Sequence, residues 1–183
     1  LFKLNNDMTI ELVNALEKYS CNAPILFSSS QQVELDNSYG KSKLSAENIL
    51  LAYSERNAVP VYIFRLPGVF GKWAKPNYNS VIATWCYNVS RGLPIKIDDP
   101  TKKLELVYID DLVNKFISIL TRINNYSEVS SSSFFKLDSS YNISLLEIAN
   151  LLNDFQLKRS QSTVPESETG FSRALYATYL SYL

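Results

Sequence analysis

The chain has 183 residues, enough for one domain with a sizeable core or for most of a larger domain. Its 18 basic and 18 acidic side chains balance, and no apolar stretch approaches the roughly 18 residues of a membrane helix, so neither nucleic acid nor a membrane is indicated as a partner. Histidine is absent, which excludes His-dependent triads and argues against a zinc site, and the isolated Cys21 and Cys86 fit a reducing cytoplasm.

The first elements are a helix and a buried strand. Residues 9–19 carry apolar side chains at helical spacing and predict an amphipathic helix. Pro24 precedes the apolar run Ile25–Phe27, which is typical of a strand in a parallel sheet. Three serines, Ser28 to Ser30, follow that run, so we expect the strand to end in hydroxyl groups.

A second helix is predicted from about Ser38 to Ser54, with Asn37 as its N-cap. Tyr39 and Lys43 are four residues apart and therefore lie on one face. An ammonium close to a phenol stabilises the phenolate, which makes such a pair suited to proton transfer. The pair alone is weak evidence, because many chains rich in tyrosine and lysine contain one by chance.

The other side chains of this helix divide into an apolar and a polar group. We expect an apolar side formed by Leu44, Ile49, Leu50 and Tyr53, and a solvated side that carries Glu47, Glu55 and Arg56.

The middle of the chain alternates strands, loops and helices. Val59–Leu66 predicts a strand that ends in the breakers of Arg65-Leu66-Pro67-Gly68-Val69, and Lys72–Ser80 is a polar, aromatic loop. A helix from about Asn79 to Arg91 ends at Gly92. Later segments are predicted to be short strands at Leu93–Ile97 and Lys103–Ile109, a helix at Leu112–Arg122 and a polar loop at Asn124–Ser133.

The last third begins with a predicted short strand at Phe134–Leu137. Ser144-Leu145-Leu146-Glu147 is a capping box that begins a helix through Phe155. Gln156–Gly170 is polar and expected to be loose. Phe171–Leu183 is apolar and rich in tyrosine, and either covers a hydrophobic face or leads to a further domain.

Several of these phrases resemble one enzyme family. Leu26-Phe27-Ser28-Ser29-Ser30, then Tyr39-Gly40-Lys41-Ser42-Lys43, is similar to the catalytic segment of the extended short-chain dehydrogenase/reductases, which include nucleotide-sugar epimerases, dehydratases and reductases. Phe64–Trp73 and Val107–Asp111 continue the resemblance. The phrases that most resemble the NADPH-dependent reductases of capsular polysaccharide synthesis are Phe70–Trp73, Lys75–Thr84 and Tyr179–Leu183.

The resemblance implies a function and a set of site residues. It implies reduction of a 4-keto UDP-sugar in UDP-N-acetyl-L-fucosamine synthesis, with NADP, or alternatively NAD, as cofactor. The implied catalytic residues are Ser30, Tyr39 and Lys43. The implied cofactor contacts are Tyr39, Lys43, Pro67 and Val69. The implied substrate contacts are Asn77, Tyr78, Asn79 and Ser80, and no metal is implied.

The sequence departs from the family pattern in two places. The arginine that many members place just before the Tyr108-Ile109-Asp110-Asp111 equivalent is missing, which leaves the diphosphate contact to Arg91, Lys96, Lys102 or Lys103. The Gly-x-x-Gly-x-x-Gly turn that lets a helix N-terminus approach the cofactor pyrophosphate is also missing.

We therefore expect an α/β fold that begins in the middle of a domain. Residues 1–70 are predicted to be the carboxyl-terminal half of a Rossmann-type parallel-sheet domain. Residues 71–183 are predicted to be mainly a small α/β substrate-binding lobe, with segments that return to the sheet. The longer parent is expected to be a cytoplasmic homo-oligomer, and the isolated chain to be inactive. An epimerase or dehydratase of the same superfamily and a non-catalytic module stay open as alternatives.

Overall fold

The computed structural model describes residues 2–124, 133–135, 137, 140–165 and 170–183. Its elements in chain order are α1 (Phe2–Lys18), β1 (Ile25–Ser30), a 3₁₀ helix (Gln31–Glu34), α2 (Ser38–Asn57), β2 (Val61–Leu66), β3 (Gly68–Phe70), α3 (Val81–Ser90), β4 (Lys103–Tyr108), α4 (Ile109–Asn124), β5 (Ser133–Phe135), β6 (Tyr141–Ser144), α5 (Leu145–Ser160) and α6 (Gly170–Leu180). The predicted α/β class is confirmed.

The chain divides into two compact units. Unit 1 comprises Leu1–Pro67 and Asn114–Asp138, and unit 2 comprises Gly68–Val113 and Ser139–Leu183.

Unit 1 contains a parallel sheet in the order β1-β2-β5. Val61 and Ile63 of β2 pack in a core with side chains of α1 and α2, whereas Phe64 contacts Phe116 of α4, with ring centroids 4.7 Å apart. Because both faces of β2 are covered, its buried residues form a continuous apolar run rather than an alternating one. Ser29 pairs with Arg65 and Ser30 with Leu66, which places the carboxyl ends of β1 and β2 side by side.

Unit 2 contains a mixed sheet in which β4 pairs with β3 in parallel and with β6 in antiparallel orientation. Helices α3, α5 and α6 contribute to its core. The largest side chains that this core buries almost completely are Phe70, Ile82, Ile148, Leu152, Phe155, Leu175 and Tyr179. The tyrosine-rich segment near residue 180 therefore includes a helix, α6, that covers an apolar face of unit 2.

Some sequence-based expectations are wrong. Leu93–Ile97 is not a strand, although Ile95 and Ile97 pack against the core of unit 2. Helix α5 continues to Ser160, so the first residues of the segment expected to be loose are helical. Residues 125–132 of the predicted loop, Lys136 of the predicted strand and residues 166–169 lie outside the described residues.

Candidate active site

Lys43 is a residue of α2, and its side chain reaches the backbone of β1. Its Nζ donates a hydrogen bond to the carbonyl oxygen of Ser28 at 3.0 Å. The same Nζ lies 6.0 Å from the ring centroid of Tyr39 and 5.0 Å from that of Phe27. Burial lowers the pKa of Lys43 below its ordinary value of 10.5. The structure thus brings the predicted tyrosine–lysine pair to the strand that carries the serines, and 37% of Tyr39 is exposed to solvent.

Ser30 ends β1 and caps the 3₁₀ helix. Its Oγ accepts a hydrogen bond from the backbone N–H of Gln32 at 3.2 Å. This bond uses an oxygen lone pair, so the hydroxyl hydrogen of Ser30 remains able to donate to another group. Pro67, the other predicted site residue of unit 1, directly follows β2 and is partly exposed.

The start of α2 is held tightly against the 3₁₀ helix. Asn37 is the N-cap, as predicted, and its side chain accepts a hydrogen bond from the N–H of Gly40 at 2.7 Å. A Cβ on Gly40 would lie 1.9 Å from the carbonyl oxygen of Gln32. Only glycine allows this approach, which fixes the first turn of α2, and with it Tyr39, near the end of β1.

Glu47 was predicted to be solvated, and that prediction is wrong. It is 1% exposed, and Ser29 Oγ donates a hydrogen bond of 2.5 Å to its Oε1. Arg65 donates from Nε to Oε1 at 3.1 Å and from Nη2 to Oε2 at 2.7 Å, which is a bidentate pair. This pairing raises the pKa of Arg65 above its ordinary value. Glu47 follows Lys43 by four residues on α2. The helical spacing that links Tyr39 to Lys43 therefore could have indicated that Glu47 lies on the same face of the helix.

The remaining predicted site residues belong to unit 2. Val69 of β3 pairs with Val107 of β4 and is 38% exposed. Ser80 is the N-cap of α3, where its Oγ accepts from the N–H of Ala83. Asn77, Tyr78 and Asn79 are exposed in the preceding loop.

Residues from the end of the chain anchor the first half of this loop. Tyr182 donates from its hydroxyl to the carbonyl oxygen of Ala74 at 2.5 Å, and Ser181 Oγ accepts from the N–H of Trp73 at 3.3 Å. Trp73 has a positive φ of 62° and is 81% exposed. These bonds hold the loop that carries the predicted substrate residues.

Unit 2 also contains a pocket of about 340 Å³ that the sequence did not reveal. Lys72 forms an ion pair with Asp110 at 2.9 Å, and this hydrogen bond raises the pKa of Lys72. Tyr141 donates to Asp111 at 3.3 Å. Arg173 lines the same pocket. Two cationic groups therefore lie here, in a chain that lacks the arginine expected before Tyr108.

Two of the basic residues considered as substitutes for that arginine have other partners. Arg91 stacks on Tyr87, with its Cζ 3.9 Å from the ring centroid, and donates to the carbonyl oxygen of Tyr182 at 2.9 Å. Lys96 forms an ion pair with Asp98.

Within the described parts of the chain, no group of three or more Cys, Asp or Glu side chains is arranged to hold a metal ion. None of the helices described there has both the length and the apolar character needed to cross a membrane.

Comparison with known proteins identifies the family. The profile described as "NAD dependent epimerase/dehydratase family" matches residues 1–130. This chain belongs to the NAD-dependent epimerase/dehydratase family. It is 42% identical over all 183 residues to the UDP-2-acetamido-2,6-beta-L-arabino-hexul-4-ose reductase of Pseudomonas aeruginosa, of which it covers 48%.

Solved structures of similar proteins show the same fold. The capsular polysaccharide assembling protein CapF from Staphylococcus aureus superposes with a TM-score of 0.84 and 38% identity over 96% of this chain and 47% of that protein. The UDP-glucuronic acid 4-epimerase of Bacillus cereus, solved with NAD, superposes with a TM-score of 0.77 over 95% of this chain, but at 18% identity it shows the fold alone. The chain spans about half the length of both the Pseudomonas reductase and CapF.

Proposed function

We propose that this chain is the catalytic and substrate-binding part of an NADPH-dependent reductase that acts on a 4-keto UDP-sugar of capsular polysaccharide synthesis. The sugar proposed is the precursor of UDP-N-acetyl-L-fucosamine. Identity of 42% along the whole chain to a UDP-sugar reductase supports the reaction class. The observation that carries the proposal is the position of the Lys43 ammonium, close to both the Tyr39 ring and the end of β1.

The residues present fit one end of the cofactor. Tyr39 is accessible and Lys43 is half-buried, so a phenol and an ammonium can meet the hydroxyls of a nicotinamide riboside. Pro67 and Val69 are proposed to contact the carboxamide. The five glycines, at positions 40, 68, 71, 92 and 170, form no Gly-x-x-Gly-x-x-Gly turn, so the pyrophosphate does not have its usual site on these residues. When bound, the nicotinamide supplies the hydride.

Three side chains are proposed to perform the proton chemistry. Tyr39 donates its hydroxyl proton to the C4 oxygen of the sugar as negative charge develops there, and is reprotonated from solvent. Lys43 stabilises the resulting phenolate through its positive charge. Ser30 donates a hydrogen bond to the same sugar oxygen, since its lone pair, not its hydrogen, is used in the cap to Gln32.

We assign residues 1–70 to the Rossmann-like catalytic domain and residues 71–183 mainly to the substrate-binding lobe, with β5 returning to the sheet of unit 1. Asn77, Tyr78, Asn79 and Ser80 are proposed to contact the UDP-sugar, because amide, phenol and hydroxyl groups can bind phosphate or uracil. The parent is proposed to be a cytoplasmic homo-oligomer without nucleic-acid or membrane partners.

The test uses a chimera in which these 183 residues replace the matching half of the Pseudomonas reductase. Tyr39→Phe in this chimera should lower kcat by roughly 10²–10⁴-fold, because it removes the general acid while keeping the ring. The matched control is Tyr19→Phe, since Tyr19 is also a tyrosine of unit 1 with a neighbouring lysine, Lys18, and is 73% exposed. Equal kcat for the two variants would contradict the proposed role of Tyr39.

Two further measurements separate the alternatives. A reductase consumes one NADPH per product, whereas an epimerase or dehydratase returns its cofactor unchanged, so the ratio of NADPH consumed to sugar converted distinguishes them. The isolated 183-residue chain should not bind NADPH at micromolar concentration. Micromolar binding would contradict the assignment of the pyrophosphate site to residues outside this chain.

A further inference from the structure

The buried carboxylate of Glu47 joins three elements of unit 1. It projects from α2, accepts a hydrogen bond from Ser29 at the end of β1, and forms the bidentate pair with Arg65 near the end of β2. Ser29 and Arg65 are register partners in the parallel sheet. One carboxylate therefore fixes the rotation of α2 and its distance from two strand ends.

The same three elements carry the catalytic groups proposed above. On α2, Tyr39 and Lys43 precede Glu47 by eight and four residues, so all three lie on one face of the helix. On β1, Ser30 directly follows Ser29, and Pro67, which comes directly after β2, is two residues beyond Arg65. A shift at Glu47 would therefore move the phenol and ammonium relative to the Ser30 hydroxyl.

Stability alone does not account well for this arrangement. A buried ion pair is often no more stabilising than apolar side chains of similar volume, because desolvation of the charges offsets their attraction. The two parallel hydrogen bonds of an arginine–carboxylate pair do, however, impose a definite geometry. The arrangement is thus better suited to setting a position than to strengthening the fold.

We propose that Glu47 is a positioning residue, which through Ser29 and Arg65 holds Tyr39 and Lys43 at the distance from Ser30 that proton transfer requires. The proposal rests on the proposed function and adds three residues to it, none of which touches substrate or cofactor in the proposed mechanism.

The primary experiment compares Glu47→Gln with Glu34→Gln in the chimera. Glu34 is the matched control, because its carboxylate lies 4.0 Å from the same arginine but its side chain is 77% exposed. We expect Glu47→Gln to lower kcat by roughly 10- to 100-fold, since small misplacements of reacting groups have effects of this size, while the KM values for sugar and NADPH change less than about threefold. Glu34→Gln should match the parent chimera. A Glu47→Gln kcat within about twofold of the parent would overturn the proposal.

A second variant separates positioning from folding. Glu47→Met with Arg65→Met replaces the ion pair by apolar side chains and should unfold at about the parent's temperature. We expect its kcat to stay at least tenfold below that of the parent. Full recovery of kcat would show that the pair serves only the fold, and would overturn the proposal even if Glu47→Gln were unstable.

The outcomes also separate this inference from the function beneath it. Normal kcat in Tyr39→Phe would reject the catalytic assignment itself. Normal kcat in the Glu47 variants, with loss of activity in Tyr39→Phe, would reject only the positioning role.

Discussion

The two units hold their candidate site residues by different means. In unit 1, Tyr39 and Lys43 lie on a helix that is fixed by a buried charge network and by the close approach of Gly40 to backbone. In unit 2, the loop of Asn77 and Tyr78 extends from a core of packed aromatic and aliphatic side chains, and two hydrogen bonds between neutral groups, with Ser181 and Tyr182, hold its first half. A buried charged network with several directional hydrogen bonds permits one geometry, whereas an apolar core with few such bonds gains free energy from burial and tolerates more adjustment. The residues proposed to transfer a proton are thus held by the buried hydrogen-bond network.

The largest loss of stability is expected when a large side chain is removed from the core of either unit. Phe155→Ala in unit 2 and Ile63→Ala in unit 1 should each lower the free energy of unfolding by about 2–5 kcal/mol, because both side chains are buried almost completely. Both tryptophans, Trp73 and Trp85, belong to unit 2, so their fluorescence during urea unfolding reports on that unit, while hydrogen exchange in β2 reports on unit 1. If each substitution lowered the stability measured by both probes equally, the two units would unfold together rather than independently.

A smaller loss of stability is expected on substitution of two glycines. Gly40 lacks space for a side chain, whereas Gly92 has a backbone conformation that favours glycine. Gly40→Ala should destabilise the chain by about 1–3 kcal/mol, because the new Cβ would collide with the backbone of Gln32, although alanine favours helices. Gly92 has a φ of 66° and open space around it, so Gly92→Ala should cost about 1 kcal/mol from conformation alone.

Asparagine provides the control for this comparison, since it tolerates a positive φ. Gly92→Asn should recover most of the loss measured by urea unfolding, whereas Gly40→Asn should not. Recovery at both positions would mean that space around Gly40 is not the constraint.

The smallest expected effect is an acid-dependent change in unit 2. Hydrogen bonds from Ser144 lower the pKa of Glu147 below its ordinary value of 4.5. The unfolded chain therefore binds the proton more readily, so this contribution to stability is present above pH 4.5 and is lost as pH falls through the lower folded value. Ser144→Ala should lower the free energy of unfolding at pH 7, measured by tryptophan fluorescence, and should reduce the dependence of that free energy on pH between about 5 and 3. An unchanged pH dependence would contradict this assignment.

Local signals predicted much of the fold. Helical spacing and caps identified α2, with Asn37 at its start, and α5, with the capping box at Ser144, and both caps are confirmed. The apolar run Ile25–Phe27 indicated a strand of a parallel sheet, and the composition of Val59–Leu66 indicated a second strand; both are present as β1 and β2. These features depend on neighbours within a few residues along the chain, which is why the sequence reveals them.

Features that depend on distant partners were not predicted. Glu47 was expected to be solvated, because an isolated carboxylate usually is, and its partner Arg65 is 18 residues away. Leu93–Ile97 has the composition of a strand but packs through its side chains without strand pairing. Leu44 was expected on the apolar side of α2 and is exposed. The catalytic roles of Ser30, Tyr39 and Lys43 stay predictions that the kinetic variants above address.

Two hydrogen bonds, from the Tyr182 hydroxyl to the Ala74 carbonyl and from the Trp73 N–H to Ser181 Oγ, join residues 108 positions apart. During translation the loop is synthesised long before Ser181 and Tyr182. On the nascent chain, the loop therefore cannot form these hydrogen bonds until Ser181 and Tyr182, which follow α6, have been synthesised. Translation that stops before residue 181 would yield a chain that contains every proposed catalytic residue but lacks the hydrogen bonds that hold the loop of the proposed substrate contacts.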